Sequence, residues 1–455
     1  MPHPCPSPSV TGRPLLEVAD IFRAHGDCYR LDHKLGPQQR AAMWSIEHCR
    51  TQTLGGHLDV CTGCGDKQPA YNSCRNRHCP KCQSLAQAAW LERRKARILP
   101  THYFHVVFTI PHELNPVCRW NPKKLYDLLF SAASQTLLDF GRGELDAQLG
   151  VTAVLHTWTR DLRLHPHVHC VVTGGGLSKG DDRWVSTSKR FLFPVRALSA
   201  RFRGKFLDGL RALHLAGELQ LGDSRRSLAE SFPGLLDVMY RTQWVVYCKA
   251  PFGGSEQVFG YLGRYTHRVA IANSRLIQVD HEQVCFRTRD GKQAAVTPQV
   301  FIGRFLLHVL PKGFVKIRHY GLMAAGNATT RLEVARTLLR AASPQPAPSP
   351  RPVQGPAPSS ASASASASAS ASALASVLSL LSLPALLSLP ALLSLLLLLP
   401  LPLGPESLDW RAQLKRLTGL DPTVCPRCGG VRIRQPLPKR LPQLAGVPPV
   451  PLDTS

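Results

Sequence analysis

Apolar residues recur at helical spacing from Pro14 to Phe22 and from Pro37 to Arg50 (Leu16 and Ile21; Ala42 and Ile46), which predicts two short opening helices, with Pro37 suited to a first turn. The pattern then changes. Tyr103–Ile110 is β-branched and aromatic and stops at Pro111, as a strand would. A helix over Leu125–Phe140 leads to a second strand, Val151–Thr159, and to a third within Leu162–Gly176. Pro194–Leu215 reads as a long basic helix or helix pair, and Trp244–Lys249 as a strand. Gly253-Gly254-Ser255 is a turn, with Ser255 placed to cap a helix running to Arg268. Further strands are expected at Val269–Ala272, Leu276–Val279 and Val284–Val296, the last folded at Asp290-Gly291. A helix at Pro298–Val309 and a basic strand at Gly313–Tyr320 complete the pattern. Strands mixed with helices in this order predict an α+β domain.

Chemistry concentrates on the third strand. Side chains alternate between faces along a strand, so His167 and His169 project together while Val168, Cys170 and Val172 face the other way. Two imidazoles on one face, with His156 on the preceding strand and His165 two residues upstream, form a candidate metal site. His156 is the first candidate for a third ligand because a sheet would lay it beside the pair. His165 is second, since Pro166 disturbs the alternation. Imidazoles alone favour zinc or another late transition metal.

In the helix over Ser255–Arg268, Tyr261 and Tyr265 stand at i and i+4 and present two phenols on one face. Arg264, His267 and Arg268 are spaced to reach phosphates on the same surface. Gly260 and Gly263 each cost a helix about 1 kcal/mol relative to Ala, which close approach of a DNA backbone would explain.

Nearer the N-terminus, Cys61-Thr62-Gly63-Cys64 and Cys79-Pro80-Lys81-Cys82 are two knuckles about fifteen residues apart, a spacing that folds a loop around one tetrahedral zinc. The expected ligands of this structural zinc are Cys61, Cys64, Cys79 and Cys82, with Cys74 or His78 as substitutes or supporting groups. Arg75, Arg77 and Lys81 make the module basic and are expected to contact phosphate.

Composition agrees with a polyanionic partner: 55 Lys and Arg against 30 Asp and Glu give a net charge of +25. The opening Met-Pro-His-Pro-Cys-Pro lacks a signal-peptide pattern, so the 14 cysteines are expected to be reduced, several of them as metal ligands.

The phrases Asn72-Ser73-Cys74-Arg75-Asn76-Arg77-His78-Cys79-Pro80-Lys81-Cys82, His165-Pro166-His167-Val168-His169-Cys170 and Tyr261–Arg268, in this order, resemble the HUH endonucleases with two tyrosines. Among those, the chain is most similar to rolling-circle transposases of the bacterial insertion-sequence-ninety-one type, over roughly Pro14–Leu339. The resemblance implies an antiparallel sheet with packed helices, and a metal held by His167 and His169 that is Mg²⁺ or Mn²⁺. It implies attack by Tyr261 or Tyr265 on single-stranded element ends through a 5′-phosphotyrosine, with no small-molecule substrate, in a cytoplasmic, nucleoid-associated protein. A plasmid replication initiator or relaxase would share this chemistry, and a zinc-dependent DNA-binding protein without catalysis is the alternative of a different class.

Five regions follow: a Pro-rich start (1–13), a helical zinc-binding module (14–100), the catalytic domain (101–340), a low-complexity tract (341–405) and a tail (406–455). The tract holds no charge from Pro352 to Pro405 and is long enough for a membrane span, but Pro384, Pro390, Pro400 and Pro402 and a direct repeat of Leu381–Leu386 in Leu387–Leu392 mark it as a repetitive insertion. The tail carries one knuckle, Cys425-Pro426-Arg427-Cys428, which another chain, a distant histidine or nothing would complete.

Overall fold

The computed structural model describes residues 16–220, 225–249, 260, 263, 270–288, 291–342, 410–419 and 421–437. They all fall in one unit that joins Met1–Ser343 to Trp410–Ser455. In chain order the elements begin with α1 (Val18–Asp32), α2 (Pro37–Glu47), β1 (Gly56–Cys61), β2 (Lys67–Tyr71), α3 (Gln83–Lys95) and β3 (Tyr103–Thr109). Next come α4 (Asn115–Trp120), α5 (Pro122–Leu145), β4 (Ala147–Trp158), β5 (Leu164–Ser178), β6 (Trp184–Ser186), α6 (Val195–Leu215), α7 (Arg225–Arg241) and β7 (Val246–Lys249). The remainder are β8 (Leu276–Val279), β9 (Val284–Arg287), β10 (Gln293–Val296), α8 (Pro298–Leu306), β11 (Ile317–Gly321), α9 (Arg331–Ala341), α10 (Trp410–Thr418) and β12 (Arg432–Pro436).

The central sheet has six strands in the order β11-β4-β5-β3-β7, with β6 beside β5, and its paired strands run antiparallel. Its two faces bury different amounts of apolar surface. On one, Phe104, Val106, Phe108, Ala153, Leu155, Val168, Cys170 and Val172 meet α5 and α6 in a large core that includes Leu129, Phe130, Phe202 and Phe206. Burying each of the larger side chains contributes roughly 1.5–3 kcal/mol, so this face anchors the sheet. On the other, Tyr103, Val154 and Val171 join Trp90 of α3 and Leu332, Ala335 and Leu339 of α9 in a smaller cluster. The histidines lie on this second face, in alternation with the anchored residues.

A further core unites the opening helices with later elements: Val18, Ile21 and Phe22 of α1 and Met43 and Ile46 of α2 pack with Phe286 of β9 and Phe301 and Phe305 of α8. Phe22 and Phe305 meet edge to face at 5.3 Å. The N-terminal helices therefore share a core with residues from the second half of the chain. Pro37 and Pro298 occupy first-turn positions, and Thr297 caps α8 by accepting from the Val300 N–H.

Several expectations are corrected here. Ala270–Ala272 lie in no strand, and Ala270 adopts a left-handed φ of 56° that ends extended pairing. The strand sought at Gly313–Tyr320 starts only at Ile317. Among the described residues no helix is long and apolar enough to cross a membrane, and the Leu-rich tract lies outside them.

Candidate functional site

Pairing of β4 with β5 sets His156 opposite His167, and one ligand atom from each of His156, His167 and His169 falls within 4.8 Å of the others. Hydrogen bonds orient the rings. His167 Nδ1 lies 2.7 Å from the His165 carbonyl oxygen, which only accepts, so Nδ1 carries the proton and Nε2 presents a lone pair. His169 Nδ1 is 2.8 Å from Nε2 of His105, on β3, a residue missed from the sequence although it is a polar group in an otherwise apolar strand. His169 Nε2 lies 3.1 Å from His167 Nε2, so an Nδ1–H on His169, donated to His105, would leave the two Nε2 lone pairs facing one another. Two metal-bound imidazole nitrogens at about 2.0–2.1 Å from one ion stand about 3 Å apart, so the donor set fits a cation. Burial lowers the pKa of His105 and of His167 to about 4 and that of His169 well below its ordinary value, leaving neutral imidazoles ready to coordinate.

Trp158 stacks on His156 at 4.5 Å, and Lys316 lies over the Trp158 ring at 5.1 Å. Burial, with the Arg77 charge second, brings Lys316 down to about 7. His165 stays outside the three-histidine group and borders a neighbouring cavity of about 610 Å³. Arg119, Trp120, Arg163 and Arg304 line that cavity too, giving it cationic groups and an aromatic surface beside the histidine strand.

Tyr261, Arg264, Tyr265, His267 and Arg268 lie outside the described residues. Gly260 and Gly263, between and beside the tyrosines, are both helical. Gly263 is buried, and a Cβ there would come 2.8 Å from Leu91 of α3, so a protein side chain rather than DNA accounts for its size; Gly260 has open space. Leu91 itself packs on the cluster covering the histidine face.

Eight of the described cysteines form two groups, and the four expected to share one zinc are divided between them. Cys79 and Cys82 join Cys74 and Cys49, while Cys61 and Cys64 join Cys425 and Cys428. Cys49 follows α2 and was not anticipated, because no second cysteine nearby marks it as half of a knuckle. In the first group, Cys82 Sγ is 3.3 Å from Cys49 Sγ and 3.6 Å from Cys74 Sγ. These are far longer than the roughly 2.05 Å of a disulfide and near the about 3.8 Å edge of a zinc tetrathiolate. Thiols of Cys49, Cys74 and Cys79 converge on Cys82 and hold its pKa far below the usual thiol value. His78 has both ring nitrogens engaged elsewhere, with Asn76 Oδ1 at 3.1 Å and the Leu310 N–H at 3.1 Å, and stands outside the thiol group.

The basic residues of this module divide likewise. Arg77 donates to the Phe314 carbonyl at 2.7 Å and Lys81 pairs with Glu17, so both have internal partners. Arg75 is exposed on a left-handed turn, φ 53°.

Comparison with known proteins agrees with this division of labour. Residues 21–110 match the family described as "Transposase zinc-binding domain", and residues 150–331 match the family described as "Putative transposase". The chain is 46% identical over 342 residues, 73% of its own length and 86% of the relative's, to "Putative transposase y4qJ" of Sinorhizobium fredii. It is 28% identical over 360 residues, 75% of its length and 84% of the relative's, to "Transposase for insertion sequence element IS801" of Pseudomonas savastanoi pv. phaseolicola. No solved structure matches. A mixed fold with an antiparallel sheet, an N-terminal cysteine-rich module and relatives of this kind establish that the chain belongs to the IS91-type transposases, DNA strand-transferring enzymes with a zinc-binding domain.

Proposed function

We propose that the chain nicks and rejoins single-stranded element ends through a covalent 5′-phosphotyrosine, in rolling-circle transposition. The convergence of His156, His167 and His169 in a chain of this family carries the reading. A divalent cation on these imidazoles, Mg²⁺ or Mn²⁺, would polarise the scissile phosphate and offset charge on its non-bridging oxygens. His105 and the His165 carbonyl orient two of the rings toward that ion.

The phenol oxygen of Tyr261 or Tyr265 forms a bond to phosphorus as the bond to the 3′ oxygen breaks, and the phenolic proton ends on the released 3′-hydroxyl. The phosphodiester energy is retained in the phosphotyrosine, so rejoining needs no nucleotide triphosphate. Two tyrosines allow one to hold the first end while the other cleaves the next. Arg264, His267, Arg268 and exposed Arg75 contact phosphates, supplying affinity without sequence preference.

Incubation with single-stranded oligonucleotides from the element's ends and Mg²⁺ or Mn²⁺ tests this. A covalent adduct is expected with the natural chain and none with the double variant Tyr261→Phe, Tyr265→Phe. An adduct that survives in the double variant would move the nucleophile elsewhere.

A further inference from the structure

The tail knuckle is not solitary. β12 pairs antiparallel with β1 from Cys61 opposite Arg432 to His57 opposite Pro436, and β1 pairs with β2, giving a three-stranded ribbon from both ends of the chain. Arg432 pairs with Asp66 at 3.2 Å and Arg434 with Asp59 at 3.3 Å across this junction. The two knuckles have the same internal bonding. The Gly65 N–H donates to the Cys61 carbonyl at 3.0 Å, and the Gly429 N–H to the Cys425 carbonyl at 2.9 Å. The Cys61 N–H donates to Asp66 at 2.9 Å, and the Cys425 N–H to Gly430 at 2.8 Å. Gly65 (φ 70°) and Gly429 (φ 74°) provide the left-handed turn that closes each.

Facing each other, the knuckles bring Cys61 Sγ to 3.4 Å from Cys428 Sγ and Cys64 Sγ to 3.9 Å from Cys425 Sγ, all four thiols being free of disulfides. The space around them is fitted to sulfur: a Cβ on Gly430 would stand 3.1 Å from Cys61 Sγ and 3.3 Å from Cys428 Sγ. Four thiols drawn this close, at a ribbon whose strands are mostly half-buried or exposed, have little apolar packing to hold them together. A tetrahedral ion supplies what the packing does not.

We propose that Cys61, Cys64, Cys425 and Cys428 bind a zinc ion distinct from that of Cys49, Cys74, Cys79 and Cys82, and that it clasps the chain's C-terminal segment to its N-terminal module. Cys425 and Cys428 lie outside the segment that matches the zinc-binding family, 21–110. The clasp extends beyond the ribbon: Arg416 of α10 pairs with Glu92 of α3 at 3.0 Å, one residue from the Leu91 that meets Gly263. Residues after Trp410 are thereby tied to the helix that meets Gly263.

Zinc content of the full chain, purified without chelator, decides the matter. Two equivalents are expected, falling to one in Cys425→Ser, Cys428→Ser and equally to one in Cys61→Ser, Cys64→Ser, with no further loss when the two pairs are combined. Limited proteolysis of the Cys425→Ser, Cys428→Ser chain should release the segment after Trp410 many-fold faster, whereas the natural chain retains it. Cobalt substituted for zinc gives a second readout, the thiolate-to-cobalt absorption falling by half in either pair of variants. One equivalent in the natural chain, or two retained in Cys425→Ser, Cys428→Ser, would overturn the proposal.

Discussion

The histidine group and the thiol groups could each hold a cation, but they are held in opposite ways. His156, His167 and His169 ride on paired strands whose opposite face is anchored by a core of phenylalanines and leucines, so their geometry exists independently of any ion. Cys61, Cys64, Cys425 and Cys428 ride on turns of a thin ribbon and come from segments more than 360 residues apart in sequence. On the proposed reading, the first arrangement would use its ion for chemistry and the second for folding. The Cys49 group stands between them: Cys49 and Cys79 are buried in the core shared by α1, α2 and α8, yet no regular element spans all four sulfurs.

The largest effect expected from this contrast is at Cys79. Cys79→Ser removes a ligand from a closed site whose zinc affinity, in small domains, amounts to roughly 10–16 kcal/mol of folding free energy. Circular dichroism and proteolysis should show loss of ordered structure in the N-terminal module; a natively folded, zinc-loaded variant would break the comparison.

His167→Ala should instead leave the fold standing. Cleavage is expected to fall by about a thousand-fold or more, on the scale of several kcal/mol of charge stabilisation by a metal. The thermal midpoint should stay within a few degrees, and DNA affinity should be nearly unchanged. Collapse of the sheet in this variant would mean that its histidines are structural.

Acid sharpens the same distinction at His308, which is not among the three candidate ligands. Its Nε2–H donates to the Leu162 carbonyl and its Nδ1 accepts from Thr157, at 3.1 Å each, so the neutral ring is satisfied. Burial lowers its pKa to about 4 from an ordinary 6.5. Below pH 6.5 the unfolded chain takes up a proton that the folded chain refuses, so stability is full above 6.5 and is lost as pH falls toward 4. The slope is about 1.4 kcal/mol per pH unit for each such histidine. Denaturant midpoints measured at pH 7 and pH 5 should differ accordingly, and His308→Gln should reduce the difference.

A smaller change is expected at His105. His105→Phe keeps a ring in the strand but takes away the partner of His169 Nδ1, and loss of such a supporting bond weakens metal affinity by about 10–100-fold. Titration with Mn²⁺ against cleavage rate reads this directly, and raising the ion concentration should restore the rate.

The same contrast explains what could be read from the sequence. Alternation along a strand is local, so the common face of His167 and His169 and the apolar face of Val168, Cys170 and Val172 follow from a few consecutive residues. The pairing of His156 with them required only that neighbouring strands in the chain be neighbours in the sheet. The cysteine spacing of the N-terminal module has the same local look but misleads, since two adjacent knuckles can each find a partner elsewhere. Cys49 sits alone at the end of a helix, well before Cys74, and Cys425 and Cys428 follow a long low-complexity tract, so neither complete set is a pair of adjacent knuckles. His105 was hidden for the related reason that its role depends on register across β3 and β5, not on its neighbours in β3. Arg77 and Lys81 show the limit of counting charge, because partners distant in sequence, Phe314 and Glu17, already engage them.

The central claim is that this sheet's histidines and Tyr261 or Tyr265 together make a covalent bond to DNA. Mass spectrometry of the tryptic peptide carrying the nucleotide, after reaction with a single-stranded end in Mg²⁺ or Mn²⁺, tests it most directly. The account predicts a phosphodiester-linked nucleotide on Tyr261 or Tyr265, formed only with the divalent ion and absent in His167→Ala. A nucleotide on any other residue, or the same adduct formed without the ion, would contradict it.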